Sequence, residues 1–260
     1  MINKSIYHAT YIFKPCHLFI IKKTKMKNIF LLVFLLTITL GFGQKEKMKG
    51  IGPSVTRTLE VAPFTILESS MHADIEVTQG PVQKITIEGQ ENIINMISTE
   101  VKDDKWRIKL PKNTWADYDK VVIKITIPQL HGLGVAGSGS LKTTNTIKSD
   151  DFQIGLSGSG KMDISVDAEN VDLGISGSGN IHITGKANEL SIGQSGSGDV
   201  RAKDFPVEKV KIGISGSGSC EVNVSQNLEA GISGSGSVSY KGRPKVKSSV
   251  SGSGSIHSID

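Results

Sequence analysis

The segment Ile154-Gly155-Leu156-Ser157-Gly158-Ser159-Gly160-Lys161-Met162-Asp163-Ile164 places apolar side chains at alternate positions on both sides of a Ser-Gly-Ser-Gly centre. Ile154, Leu156, Met162 and Ile164 share one parity, while Ser157, Ser159, Lys161 and Asp163 share the other. Strict alternation over this length is the mark of a half-buried strand. The phrase then recurs, with first glycines at 137, 158, 177, 196, 216, 234 and 252, spaced by 21, 19, 19, 20, 18 and 18 residues. Leu173, Ile175, Ile181 and Ile183 repeat the apolar parity around the third copy, and Ile212, Ile214, Cys220 and Val222 around the fifth. A near-constant period with apolar flanks on every copy predicts a solenoid and excludes a flexible Gly/Ser linker.

The fold class expected is therefore all-β: a β-helix, or solenoid, of stacked coils of 18–21 residues. One coil cannot bury its own apolar face, but seven stacked about 4.8 Å apart share a core about 29 Å long. If the alternation runs through the motif, its glycines point inward and its serines outward. The competing geometry is a Gly-Ser-Gly corner at positive φ that breaks the parity. The outward reading predicts two surface ladders, Ser157, Ser176, Ser195, Ser215 and Ser233 beside Ser159, Ser178, Ser197, Ser217 and Ser235. The last coil ends soon after its motif, and an open edge strand there points to self-association or to a partner strand.

Upstream of the repeat, residues 75–77, 85–87, 106–110 and 121–127 also alternate. Asp103-Asp104 and Asn113-Thr114 read as turns, and residues 93–101 as a short helix. This half is expected to form atypical N-terminal coils that cap and nucleate the solenoid.

The aromatic share is 5% and glycine reaches 29 of 260 residues, which suits thin layers better than a core of large rings. Lys4, Lys14, Lys22, Lys23, Lys25 and Lys27 stand in residues 1–43, which have no Asp or Glu. Removing these six from the formal +5 leaves −1, so nothing here speaks for nucleic acid. Met26-Lys27-Asn28, the apolar run from Ile29 to Leu40, and Gly41 and Gly43 before Gln44 read as a signal peptide. The run is too short for a membrane span. The expected organisation is residues 1–25 as a mis-assigned start or extended leader, 26–43 as signal peptide, 44–54 as a short linker, and 55–258 as one solenoid domain. The product would be exported to the periplasm, the cell surface or the medium, with no membrane span after cleavage. Cys16 leaves with the leader and Cys220 remains alone, so no internal disulfide is expected.

Several residues together carry a resemblance: Arg57, Phe64, Ile75-Glu76-Val77-Thr78-Gln79-Gly80, residues 121–128, and Leu133-Gly134-Val135-Ala136-Gly137-Ser138-Gly139 with the later SGSG copies. Over about residues 55–258 the chain resembles the head GIN domain family, also called auto-transporter adhesins. That resemblance implies a right-handed β-helix-like solenoid and an adhesive role, and it brings no catalytic or ligand residues.

Motifs with chemical meaning fail on context. Gly132-Leu133-Gly134-Val135-Ala136-Gly137 matches a dinucleotide fingerprint, but a helix should begin where the repeat opens. Gly155 to Lys161 imitates a P-loop, with Met162 where a magnesium-binding hydroxyl belongs. Calcium β-helices need aspartates where these turns carry serine. His182 and His257 sit at equivalent outward sites about 19 Å apart, too far to share a metal. His72 and Asp74 lack a third ligand, and no SGSG copy forms G-x-S-x-G. Asp163 and Asp172 are the nearest to a carboxylate pair, but no rule in the sequence brings them together. No cofactor, metal or catalytic residue is assigned.

The leading reading is a non-enzymatic adhesin-like or cell-envelope binding module whose partner is a glycan or an envelope protein. The alternatives are a scaffold that homo-oligomerises through the C-terminal edge coil and, with least support, a polysaccharide-active enzyme.

Overall fold

The computed structural model describes residues 46–259 apart from Asn113. The leader, the two candidate start positions and the signal segment lie outside the described residues. The fold is a β-solenoid of about seven turns, with 70% of the described residues in strands and 2% in helix, which establishes the all-β class.

Four long strands form its body: Ile147–Gly158, Lys161–Gly177, Asn180–Gly196 and Asp199–Gly216, followed by Ser219–Gly234. Each pairs in parallel with the next, and the motif glycines stay in register from Gly137 through Gly158, Gly177, Gly196, Gly216 and Gly234 to Gly252. A column of inward side chains follows from that register: Leu141, Met162, Ile181, Val200, Cys220 and Val238, all at most 1% exposed. Branched aliphatic residues suit this place because they fill a narrow pleated core without needing partners for polar atoms. Cys220 is one of the buried fillers, and burial pushes its thiol above the ordinary range, with Glu221 adding to the effect. The coil between Gly196 and Gly216 is one residue longer than the two before it and two longer than the two after it. Register shifts between Ala202 and Pro206 absorb the extra length, and Phe205 turns fully inward.

The corner settles the question left open by the motif. Every first glycine has positive φ, from 102° at Gly137 to 133° at Gly216. The geometry is thus the positive-φ corner and not a plain strand continued through the motif. Exposure nevertheless keeps alternating through it, with Ser157 and Ser159 exposed and Gly160 buried. The two glycines are needed for different reasons. A Cβ on Gly158 would meet the Gly137 carbonyl oxygen at 2.6 Å, in a backbone region that L residues rarely adopt. A Cβ on Gly160 would point into the core, 2.7 Å from the Gly139 oxygen and 3.0 Å from Val135.

The head is more than a set of irregular coils. Ile66–Ser69 and Ala73–Gln79 continue the parallel stack onto Gly132–Gly137 and Ser140–Thr143. Lys105–Ile108 and Val121–Ile127 extend it by one further layer. The layer then closes with antiparallel pairing, Lys84–Gln90 on Val121–Ile127 and Ser54–Thr58 on Lys84–Gln90. Antiparallel strands end a parallel stack without leaving a long parallel edge. Asp103 and Asp104, at φ 51° and 56°, form the expected turn, between Val101–Lys102 and Lys105–Ile108. The helix expected over 93–101 shrinks to one turn, Glu91–Ile94, whose N-terminus has no side-chain cap. Ile93, Ile94 and Ile97 are buried, so their spacing reflects packing of a turn and not a longer helix. Within 44–54, read as a linker, Glu46–Lys49 is a strand paired in parallel with Thr114–Asp117. Thr114 thus opens a strand, and Asn113 is outside the described residues.

Candidate binding surface

One face of the solenoid is built from the strand limbs that run into the motif corner. Its outward columns are set by the parallel register. Ser157, Ser176, Ser195, Ser215, Ser233 and Ser251 stack in one column, each a strand apart. Ser159, Ser178, Ser197, Ser217 and Ser235 occupy the corner itself, and all ten serines named from the sequence are exposed. The corner serines give their backbone N–H to the preceding coil, as Ser159 to the Gly137 carbonyl at 2.9 Å, which leaves their hydroxyls outward.

Beside the serine column runs a second one that the sequence reading passed over: Gly134, Gly155, Gly174, Gly193, Gly213 and Gly231. These glycines differ from those of the corner. None has positive φ, and a Cβ on Gly155, Gly174, Gly193 or Gly213 would meet nothing within 4 Å. The fold does not require glycine there, although glycine in a strand costs roughly 0.5–1 kcal/mol relative to alanine. Strand glycine marks a bulge, a tight bend or a close approach to the backbone, and no register shift falls at Gly134, Gly155, Gly174 or Gly193. The signal was present in the sequence, as a glycine two residues before the first serine of the second to sixth motifs, at an outward parity where polar side chains are expected.

The missing side chains leave a trough of about 980 Å³ along the axis, floored by this column and walled on one side by the serines. Its head end is closed by charge. Glu68 accepts hydrogen bonds from Lys105 Nζ at 2.6 Å and Arg107 Nε at 2.7 Å, and Arg107 and Lys109 both line the opening. Burial alone would raise the Glu68 carboxyl, but the two cations outweigh it and hold the group below its ordinary 4.5. A carboxylate depressed on folding contributes stability above its unfolded pKa and loses it as pH falls through the folded value. Stability is therefore expected to be flat above about pH 5 and to decline below it. Glu68→Gln should weaken that acid-side decline in urea titrations at successive pH values.

Two polar residues interrupt the inward column beneath this face, Ser69 at its head end and Gln194 in its middle. Gln194 takes the inward position held by Leu156, Ile175, Ile214 and Ile232 in neighbouring coils, and is 3% exposed. Its Nε2 donates to the Gly198 carbonyl, whereas Oε1 has no partner. A buried acceptor left unpaired costs about 1–3 kcal/mol. Gln194→Leu should raise stability by about 1 kcal/mol, seen as a higher urea midpoint at unchanged slope.

The titratable residues are dispersed. His182 Nδ1 lies 3.0 Å from Asp163 Oδ1, while His257 bonds Ser239 at 3.1 Å, four coils along the same column. His72 Nδ1 is 3.2 Å from Ser138 Oγ, and Asp74 accepts from Ser140 at 2.7 Å and pairs with Lys120. Those contacts, Lys120 first, hold the Asp74 carboxyl below its ordinary value. Asp163 follows one corner and Asp172 precedes the next, so the two carboxylates stand on different limbs of the coil. Among the described residues no group of three or more His, Cys, Asp or Glu is placed to hold a metal ion. No helix among them is long and apolar enough to cross a membrane.

Most of the described solenoid matches a known family. Residues 63–244 match the family described as "Putative auto-transporter adhesin, head GIN domain". The chain belongs to the head GIN domain family. Among solved structures, a protein described as a putative adhesin from Bacteroides fragilis is 26% identical. The match covers 82% of this chain and all of that one, with a TM-score of 0.76. A protein described as a putative lipid binding protein from Parabacteroides distasonis is 25% identical, over 83% of this chain and all of that one, with a TM-score of 0.71. A putative adhesin from Parabacteroides merdae, at 23% identity, covers 83% of this chain and all of that one, with a TM-score of 0.65, and shares the fold. No curated protein matches the sequence. The head GIN domain thus comes with an adhesin description and the observed solenoid, while the trough and its glycine floor are features of this chain.

Proposed function

We propose that the chain is a non-enzymatic, exported binding module of adhesin type that takes a linear glycan along the serine-walled trough. One observation carries this reading: a groove of about 980 Å³ running across successive coils, open where the fold itself would tolerate side chains. Its floor repeats about every 4.8 Å, so from Gly134 to Gly231 it offers some 24 Å of nearly identical subsites. A polymer with one hydroxyl-rich unit per coil can make one weak contact per coil, and linked weak contacts multiply in affinity. The adhesin descriptions of the family and of the Bacteroides fragilis structure support the same direction, and they fit an exported or surface location.

A length series tests it. Neutral β-linked glucan oligosaccharides of two to eight units, titrated calorimetrically into the protein, should bind more tightly with each added unit until the trough is spanned. Affinity independent of length, or no heat with the longest member, would sink the proposal. The floor of bare backbone and the lipid-binding description of the Parabacteroides distasonis structure favour an acyl chain as second reading. Binding of a long-chain fatty acid that saturates the same site, with no response to the glucans, would select it.

A further inference from the structure

The two ends of the solenoid are finished differently. The head closes with antiparallel strands, and its inward residues Ile85, Ile87 and Trp106 are at most 1% exposed. At the other end, Lys245–Gly252 pairs with residues 227–234 and, among the described residues, with no strand on its other side, while Ser255–Ser258 pairs with residues 237–240. The core column that is closed elsewhere lies open here. Leu228 and Ile232 are 1% and 3% exposed, while their successors Val246 and Val250 are 42% and 43%. Backbone groups of an edge strand together with a row of uncovered valines form a template for one more strand.

Charge states what that strand should be. The outward columns of this face already place acid beside base between adjacent coils, Glu189 on Lys209 at 2.8 Å and Glu229 on Lys247 at 3.3 Å. The terminal coil presents Lys245 and Lys247 outward, next to Lys241 and Arg243, and residues 241–259 contain no Asp or Glu. Over residues 241–259 a second copy of this coil therefore sets only cations against these cations, and like charges across a strand pair are destabilising. A strand that continues the stack would need apolar residues over Val246 and Val250, and acids over Lys245 and Lys247.

We propose that the terminal coil is a docking edge for a β-strand of a partner protein, an extended segment alternating apolar and acidic side chains. The edge meets the tail end of the trough at Ser249 and Ser251, but Lys245, Val246, Lys247 and Val250 lie outside the trough lining, and the proposal stands or falls without a trough ligand. Two ten-residue peptides serve as probes, one alternating valine with glutamate and the other valine with lysine. Each is labelled for fluorescence anisotropy and titrated with the full chain. The acidic peptide should bind about tenfold more tightly, the scale of two cross-strand charge pairs changing sign. Lys245→Glu/Lys247→Glu, changed only at exposed positions, should reverse the preference. Bound acidic peptide should also slow amide hydrogen exchange in residues 245–252. Equal binding of the two peptides, an unchanged preference in the variant, or protection elsewhere would overturn the proposal. So would concentration-dependent self-association of the protein that blocks the peptide, because a second copy would then be the occupant.

Discussion

Gly196→Ala is expected to lower stability by about 3–5 kcal/mol, whereas Gly193→Ala, in the same limb, should raise it by about 0.5–1 kcal/mol. The contrast rests on geometry alone. Gly196 sits at φ 112°, and its added Cβ would stand 2.4 Å from the Gly177 carbonyl oxygen of the preceding coil. The methyl group would have to force two coils apart where they approach most closely, and would hold a backbone conformation costly for any L residue. Gly193 has an ordinary extended backbone and open space above it. There alanine only reduces the freedom of the unfolded chain. Because a solenoid is coupled coil to coil, the loss at Gly196 should also broaden or split the urea transition as the two halves uncouple. Equal effects at both positions would mean that the corner is not what joins the coils.

Trp106→Ala should cost about 3–5 kcal/mol, the largest effect expected of a single side chain in the head. The ring is fully buried, stands in register with Leu67 of the adjoining layer, and packs on Phe64 at a centroid distance of 5.4 Å. Its Nε1 donates to the Ser98 carbonyl at 2.9 Å, which ties down the segment after the single helical turn. Truncation leaves a cavity and an unpaired carbonyl together. Since the head closes one end of the stack, the first stage of unfolding should move to this end in hydrogen exchange. A loss confined to about 1 kcal/mol would show that the head repacks and is not a rigid cap.

The repeating half was readable because a solenoid writes its geometry once per coil. Ile154, Leu156, Met162 and Ile164 specify an inward face, and the spacing of the motif glycines specifies the stack. The corner was harder, since alternation of exposure persists through Gly158 even though its φ is positive. Periodicity reports which way side chains face and is blind to the sign of φ. The head was less legible because its strands cross between parallel and antiparallel partners, and Ile93, Ile94 and Ile97 imitate a helix while packing as a turn. The glycine floor at Gly155, Gly174 and Gly193 was overlooked for another reason. In a glycine-rich repeat every glycine looks structural, and only the space around each Cβ position separates the required from the dispensable. Gln194 could be seen as a polar residue in an apolar column, but its unpaired oxygen belongs to the packed structure.

The most direct measurement compares binding and stability in Gly174→Val/Gly193→Val. Valine suits an exposed strand position and its Cβ would meet nothing within 4 Å at either site, but two such side chains, in register with each other, fill the middle of the trough. Unchanged or higher urea stability, with affinity for the eight-unit glucan reduced about tenfold or more, is the predicted result. Undiminished glucan binding by the equally stable variant would contradict it, and would place recognition away from the glycine floor.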